Sequence, residues 1–226
     1  MTTARPDLAI DRDAGVERVH LDDTSWVDVV RGFVREPEAL LDELLTGLAW
    51  RENRQWRYEV WVTDPRLTAA IPATAVPAAV RQAGLHLDAT YRVRFTGPDV
   101  LRYRNGRDSV GFHRDRSMRY LDDTLIGIVV LGEPRPFVLR PHAATRDDTT
   151  FDVDLSPGRG DLIVMGGRNQ ADWMHAVPKV DHPSERISLT WRWTSKQGRP
   201  DESENYGAAR NFGDTGRVGP QRRRSR

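Results

Sequence analysis

Residues 124–140 read TLIGIVVLGEPRPFVLR, and in them two apolar runs, Thr124 to Leu131 and Phe137 to Arg140, flank a turn rich in glycine and proline. Valine, isoleucine and phenylalanine favour strands, whereas glycine and proline favour the turns between strands. The segment therefore predicts two strands that follow one another along the chain.

Similar strand-like runs occur on both sides of this segment, and glycine, proline or aspartate separates them. They are Val100 to Arg104, Thr150 to Leu155, Asp161 to Met165 and Ile187 to Thr194. Runs of this length between such turns indicate an antiparallel sandwich or a rolled β-barrel.

The N-terminal half predicts two helices. Glu36 and Pro37 open the first, in which leucines recur at helical spacing up to Leu48. The second runs from Pro77 to about Leu87. We therefore expect an α+β, mainly β, fold that carries these helices on its outside.

Shorter strands are predicted before and between the helices. The region from Val16 to Val34 holds short apolar pieces, and Trp56 to Val62 alternates in the manner of a strand. Because proline cannot donate to a strand ladder, Pro65 is expected to end that strand.

A chain of 226 residues with 30% charged residues is typical of one globular domain. We predict a flexible N-terminal arm over residues 1–15, a domain over residues 16–195, and a disordered, arginine-rich tail over residues 196–226. The net charge is +1, and residues 217–226 hold five arginines and no acid, so the remainder sums to 1 − 5 = −4. The body is mildly acidic, which does not favour a phosphate backbone as partner.

The sequence disfavours membrane-spanning proteins and exported proteins. No apolar run approaches the roughly 20 residues that span a bilayer, and the N-terminus lacks a signal-peptide pattern. We therefore expect a cytoplasmic protein that does not contact membranes, and we expect a monomer. The chain has no cysteine, so any metal must be held by His, Asp or Glu.

His113 and Asp115 are the first candidate metal ligands. In an extended segment, residues two apart project to the same side, so both can reach one ion. His175, which follows a predicted strand and a Gly166-Gly167 turn, can supply a third ligand. Two histidines and one carboxylate are typical of non-haem iron, on which they leave three positions open.

Arg186 and Arg192 lie six residues apart on one predicted strand. The even separation puts both on one face, inside a roll. Buried arginine is costly without an anion, and the planar guanidinium fits a carboxylate well. Together with the metal ligands, the pair indicates a dicarboxylate ligand; the alternative is that one or both arginines pair with internal Asp or Glu.

Four separated blocks of the sequence resemble the AlkB-like iron(II)- and 2-oxoglutarate-dependent dioxygenases in order and spacing. The blocks are Leu101 to Asp115, Gly160 to Gly167, His175, and Arg186 to Arg192. The resemblance extends over about Glu36 to Arg192. It implies a double-stranded β-helix, also called a jelly roll, that binds one iron and 2-oxoglutarate.

The resemblance also assigns roles to single residues. It implies that His113, Asp115 and His175 hold iron(II). Tyr103 would hydrogen-bond 2-oxoglutarate, Arg186 would pair with its distal carboxylate, and Arg192 would lie near the carboxylate bound at iron. The family reaction consumes 2-oxoglutarate and dioxygen, releases succinate and carbon dioxide, and hydroxylates a substrate C–H bond. On an N-methyl group the hydroxylated product loses formaldehyde.

The family's substrates suggest alkylated DNA or RNA, and hence DNA repair by demethylation. Trp56, Tyr58 and Trp61 lie where the family places its substrate lid, and their rings offer a surface on which an extruded base can stack. The alternative is that they are core residues of an alternating strand.

The chain departs from the family pattern at three places. Leu101 and Ser188 stand where the family commonly has asparagine, which affects the expected cosubstrate network. Asp115 is followed by Arg116-Ser117-Met118, without the acid that many nucleic-acid demethylases carry there. Three other functions stay open: a hydroxylase or demethylase of a protein or small metabolite, a non-catalytic jelly-roll binding module, and a zinc hydrolase, which would not need the two arginines.

Overall fold

The architecture comes from a computed structural model, which describes residues 9–202 apart from residues 58–59, 116–117, 146 and 183–184. It also gives the backbone of two short strands in the tail. The helices are α1 (Pro37–Gly47), α2 (Ala78–Tyr91) and α3 (Asn169–Asp172), and a 3-10 turn spans Ala73–Ala75. The strands are β1 (Val16–His20), β2 (Ser25–Val30), β3 (Arg51–Arg57), β4 (Val60–Ala69), β5 (Thr96–Tyr103), β6 (Val110–His113), β7 (Thr124–Gly132), β8 (Val138–Pro141), β9 (Val153–Asp154), β10 (Asp161–Gly167), β11 (Trp173–Val177), β12 (Arg186–Thr194), β13 (Phe212–Gly213) and β14 (Gly216–Arg217).

Twelve of these strands form two sheets. The large sheet has eight strands in the order β1-β2-β10-β7-β12-β5-β4-β3, and the small sheet has four in the order β6-β11-β8-β9. Neighbouring strands in both sheets are antiparallel. The predicted mainly β composition with few helices is therefore confirmed.

Alternation along the strands of the large sheet creates two cores. On β7, Val129 and Leu131 face the helices, which pack through Leu44 of α1 and Leu87 of α2. The opposite face of the large sheet packs against the small sheet; the residues of this second core include Val27, Ile126, Ile163, Leu139 and Trp173. The helices thus lie on the outside of the large sheet, as predicted, and the space between the sheets is left for the functional site.

Helix α2 ends at Tyr91, four residues beyond the predicted end at Leu87. The extension is explained by what Tyr91 contacts. Its hydroxyl donates to Asp28 on β2 at 2.8 Å, and its ring stacks on Trp26 with centroids 6.1 Å apart. Asp28 and Trp26 are far from Tyr91 in the sequence, so the periodicity of the helix does not reveal these contacts.

Asp28 is a buried carboxylate that joins three elements. It is 3% exposed, and besides the Tyr91 hydroxyl it accepts two hydrogen bonds from Arg18 of β1, at 2.6 and 2.7 Å. Burial and the bond to Asp28 both raise the pKa of Tyr91, so the phenol stays protonated as a donor. The carboxylate therefore ties the end of α2 to the first two strands.

We expect Asp28→Ala to lower the free energy of unfolding by about 2 to 3 kcal/mol, because it leaves the Tyr91 hydroxyl and the Arg18 guanidinium without their acceptor. The loss stays at the lower end because Arg18 is 45% exposed and can regain water. Urea unfolding measures it, with the exposed Asp42→Ala on α1 as control. A change no larger than that of the control would contradict the role of this network.

Two predicted strands differ in the structure. The run around Trp56 is the first half of a hairpin, and the second half continues through Pro65 as far as Ala69. Pro65 is tolerated because the ladder is irregular there: Glu52 pairs with Leu67 while Arg54 pairs with Thr63. The predicted strand at Thr150 to Leu155 is reduced to Val153–Asp154, because turns around Asp148 and Thr149 take the preceding backbone N–H groups.

The predicted N-terminal arm is packed over its described part. Ile10 is fully buried and pairs with Val34, and the Ala9 amide donates to Gln82 of α2 at 3.0 Å. Because Ile10 pairs with a residue more than twenty positions away along the chain, no local sequence pattern indicates that this segment is packed. Residues 1–8 of the arm lie outside the described residues.

The predicted tail is described in two pieces. Near its start, the Asp201 amide donates to the Arg119 carbonyl at 2.6 Å, so residues 196–202 lie against the loop that follows β6. Further on, β13 pairs with β14. The disorder of the remaining residues stays a prediction. No helix in the described part of the chain is long and apolar enough to cross a bilayer.

Candidate metal centre

His113, Asp115 and His175 come together between the two sheets. His113 ends β6, Asp115 follows two residues later, and His175 lies on β11, where it is the direct partner of His113 across the ladder. One potential ligand atom from each residue lies within 4.8 Å of the others. The three predicted metal ligands are thus one cluster, built by the pairing of β6 with β11.

The two imidazoles are held in the neutral form that a metal ligand needs. Burial lowers the pKa of His113, and burial together with the nearby His113 lowers the pKa of His175 to about 3. The Nδ1 atom of His113 lies 2.9 Å from the Gly111 carbonyl oxygen. That contact leaves Nε2, which is 3.6 Å from Asp115 Oδ1, directed at the cluster.

Asp115 is ionised despite its burial. Burial alone raises the pKa of this carboxyl, but Arg192 and the two histidines lower it to about 2. Arg192 Nε donates to Asp115 Oδ2 at 2.7 Å, and its Nη1 atom pairs with Asp99. The alternative in which an arginine pairs with internal acids is therefore correct for Arg192, whose role toward a cosubstrate stays a prediction.

Arg186 has a different environment. It is 1% exposed, and its Nε and Nη1 atoms have no hydrogen-bond partner in the described part of the chain. Burial, only partly offset by Tyr103, lowers the pKa of this guanidinium to about 10. Buried arginine without an anion is costly, so the arrangement fits a carboxylate ligand.

Tyr103 lies beside Arg186 and faces the same cavity. The two residues are direct partners across the β5-β12 ladder, and the guanidinium carbon of Arg186 is 5.6 Å from the centre of the Tyr103 ring. Tyr103 is 2% exposed. The pairing of β5 with β12 thus brings two of the three predicted cosubstrate residues together.

Arg66 is a site residue that the sequence analysis missed. It comes from β4, next to the irregular ladder at Pro65, and its Nη1 atom donates to the Tyr103 hydroxyl at 3.3 Å. Its charge contributes to lowering the pKa of both His113 and His175. No motif marks this arginine, because its position depends on the strand continuing past a proline.

Arg135 is a second residue that the sequence analysis did not single out. It is fully buried and donates to the backbone carbonyl oxygens of Asn105, Asp108 and Pro178 at 2.8 to 3.0 Å. The loop around these first two carbonyls connects Tyr103 to the strand that ends in His113. Arg135 therefore fixes the connection between the two parts of the site.

The metal cluster and the predicted cosubstrate residues line one cavity of about 150 Å³. Its lining includes the three clustered residues, the three arginines Arg66, Arg186 and Arg192, and Tyr103. Leu101 and Ser188, two of the three departures from the family pattern, also line it. Two neutral imidazoles and a carboxylate fit a divalent metal, and the unpartnered Arg186 fits one end of a dicarboxylate beside it.

The predicted aromatic substrate surface is described only in part. Trp61 is 43% exposed, so it is not a core residue, and the Arg54 guanidinium carbon lies 5.8 Å from the centre of its ring. Trp56 pairs with Trp61 across the backbone of the hairpin. The side chain of Trp56 and all of Tyr58 lie outside the described residues.

The sequence and the architecture match proteins of known class. A family model described as 2OG-Fe(II) oxygenase superfamily matches residues 39–192. The chain is 30% identical over 206 residues to human alpha-ketoglutarate-dependent dioxygenase alkB homolog 3, a match that covers 81% of this chain and 71% of the relative. It is 31% identical over 129 residues to the Arabidopsis thaliana DNA oxidative demethylase ALKBH2, covering 47% of this chain and 41% of the relative.

Solved structures with a similar fold include a Trichoplax adhaerens prolyl hydroxylase in complex with a hypoxia inducible factor peptide fragment. The TM-score is 0.52 at 13% identity, over 74% of this chain and 83% of that one. A 2OG-Fe(II) oxygenase family oxidoreductase from Burkholderia pseudomallei has a TM-score of 0.50 at 13% identity, over 74% and 84% of the two chains. At this identity the likeness concerns the fold alone.

Proposed function

This chain belongs to the 2OG-Fe(II) oxygenase superfamily as an AlkB-like, iron(II)- and 2-oxoglutarate-dependent dioxygenase, and we propose that its substrates are N-alkylated bases of DNA or RNA. The observation that carries the dioxygenase activity is the buried Arg186, unpartnered at two nitrogens, in the cavity that holds the His-Asp-His cluster. The nucleic-acid part is supported by similarity to a relative named DNA oxidative demethylase.

The proposed metal ligands are His113, Asp115 and His175. When bound, iron(II) together with 2-oxoglutarate activates dioxygen for hydroxylation of a substrate C–H bond. The contact of His113 Nδ1 with Gly111 orients its ring, and Arg192 keeps Asp115 ionised and fixes the direction of its carboxylate. These contacts prepare the ligand set before the metal arrives.

Arg186 is proposed to bind the distal carboxylate of 2-oxoglutarate. Its Nε and Nη1 atoms are buried donors without a partner in the described part of the chain, and a guanidinium presents its N–H groups in a planar fork that matches a carboxylate. Tyr103 stands next to it as a hydroxyl donor, and Arg66 holds that hydroxyl. Arg186 and Tyr103 are 1% and 2% exposed, and a buried environment strengthens charged contacts.

We expect Arg66→Gln to raise the KM for 2-oxoglutarate about fivefold to tenfold, because Tyr103 loses a charged partner in the cosubstrate site. Metal affinity stays near that of the parent protein. Initial rates of succinate release at varied 2-oxoglutarate measure the effect, and Arg54→Gln on the same hairpin is the matched control. An unchanged KM would mean that Arg66 does not contribute to cosubstrate binding.

We also propose that the two facing sheets form a double-stranded β-helix. The supporting observations are the antiparallel pairing throughout and the ladder of β6 with β11, which lies opposite the ladder of β5 with β12 and encloses the site between them. A monomeric state and a cytoplasmic location are proposed with it from the sequence.

The test of the substrate is formaldehyde release by the iron(II)-loaded protein with 2-oxoglutarate and N-methylated oligonucleotides, as DNA and RNA and as single strand and duplex. Unmethylated oligonucleotides of the same sequences are the control. Formaldehyde that depends on the methyl group supports the proposal. Succinate release that no oligonucleotide changes, without formaldehyde, overturns the nucleic-acid part and points to a protein or metabolite substrate.

A further inference from the structure

A second cavity, of about 680 Å³, lies on the other side of the large sheet from the metal cluster. On β12 the residues alternate: Thr190 and Arg192 line the active-site cavity, whereas Trp191 between them lines the second one. Helix α2, the 3-10 turn at Ala73–Ala75 and strands β4 and β5 form the other walls. The volume falls in the range of about 300 to 1,000 Å³ that small-molecule sites occupy.

Trp191 brings an unused hydrogen-bond donor to this cavity. The residue is only 4% exposed, and its indole N–H has no hydrogen-bond partner among the residues that the structure describes. The indole nitrogen lies beside Gly84 of α2, another lining residue, where an added Cβ would be 3.3 Å away. Because Trp191 lines the cavity, a ligand there can supply the acceptor that an indole N–H usually finds.

Some charged side chains in the cavity wall already have protein partners, and others do not. Asp88 accepts the Phe95 amide at 2.9 Å and pairs with Arg94 at 3.5 Å, and Asp99 pairs with Arg192. Arg81 shares a face of α2 with Gly84 and Asp88, and its side chain has no ion pair or hydrogen bond to the described part of the chain. The acids are therefore satisfied, whereas a cation and an N–H donor are not.

We propose that this cavity is a second ligand site, which binds a small carboxylate with an apolar body. The carboxylate takes the donors of Arg81 and Trp191, and the body packs on Ile71, Val80 and Phe95, which are apolar parts of the wall. An aryl acid or a branched aliphatic acid has this chemistry. The site lies on the opposite face of the large sheet from the metal cluster, and Asp99 in its wall also pairs with Arg192.

The probe is phenylacetate, titrated into ¹⁵N-labelled protein while the indole N–H resonances are followed by NMR. The Trp191 signal is assigned by its loss in Trp191→Phe, and Trp193→Phe on the same strand is the matched control for that assignment. We expect a saturable downfield shift of this one indole signal. Phenethylamine, of similar size but positively charged, should leave it in place.

Two variants separate this site from binding at the cosubstrate arginine. Arg81→Gln, on the exposed face of α2, should weaken phenylacetate binding about fivefold, as expected for one solvent-exposed ion pair, whereas the exposed Arg12→Gln should not. In Arg186→Met the shift of the Trp191 signal should persist. The proposal is overturned if phenylacetate causes no saturable shift, if Arg81→Gln binds as the parent does, or if Arg186→Met abolishes the shift.

Discussion

Asp115→Ala is expected to lower the affinity for iron(II) by well over a hundredfold. The release of succinate and formaldehyde should be lost with it. Outer partners of metal ligands cost about 10- to 100-fold when removed, and a ligand itself should exceed that. The substitution also leaves two neutral imidazoles that cannot balance the charge of a divalent ion. The protein should still fold, because Arg192 keeps its second partner, Asp99.

Calorimetric titration with iron(II) measures the loss of metal affinity, and single-turnover succinate release measures the loss of activity. Asp122→Ala is the matched control, since that carboxylate pairs with Arg168 on the surface, away from the cluster. Metal affinity in Asp115→Ala within a few-fold of the control would mean that the cluster is not the metal site. A zinc hydrolase would also lose activity in this variant, but its turnover would not consume 2-oxoglutarate.

Arg186→Met is expected to act in opposite directions on cosubstrate binding and on stability. The KM for 2-oxoglutarate should rise roughly a hundredfold or more, because two charged hydrogen bonds of about 1.5 to 3 kcal/mol each are lost. Without 2-oxoglutarate, the free energy of unfolding should increase by about 1 to 2 kcal/mol. The reason is that methionine replaces a buried guanidinium that has two unpartnered nitrogens.

Kinetics and urea unfolding, each with and without 2-oxoglutarate, measure the two effects. Arg102→Met is the control on the neighbouring strand, since its guanidinium already pairs with Glu185 at 2.6 Å. That variant should keep the KM and lose a little stability. An Arg186→Met protein that is less stable without 2-oxoglutarate would show that Arg186 serves the fold and not the cosubstrate.

The helices and most strands were predictable from the sequence because their signals are local. Leucines at helical spacing after Pro37 mark α1, and β-branched runs mark β7, β10 and β12. The errors arose where a distant partner changed a local preference. Tyr91 extends α2 toward Asp28, Ile10 packs on Val34, and the irregular ladder lets β4 continue through Pro65.

The site likewise combines features that are local in the sequence with features that depend on distant partners. By itself, the sequence determined the residue types and their local spacing: a His-x-Asp triplet, a later histidine, and two arginines six apart on one strand face. Only the tertiary structure decided their partners. Strand register places His175 opposite His113 and Tyr103 opposite Arg186, and it leaves Arg192 with Asp115 while Arg186 has unpartnered nitrogens. Register is set by packing over the whole sheet, so a stretch of sequence cannot show which buried charge is paired.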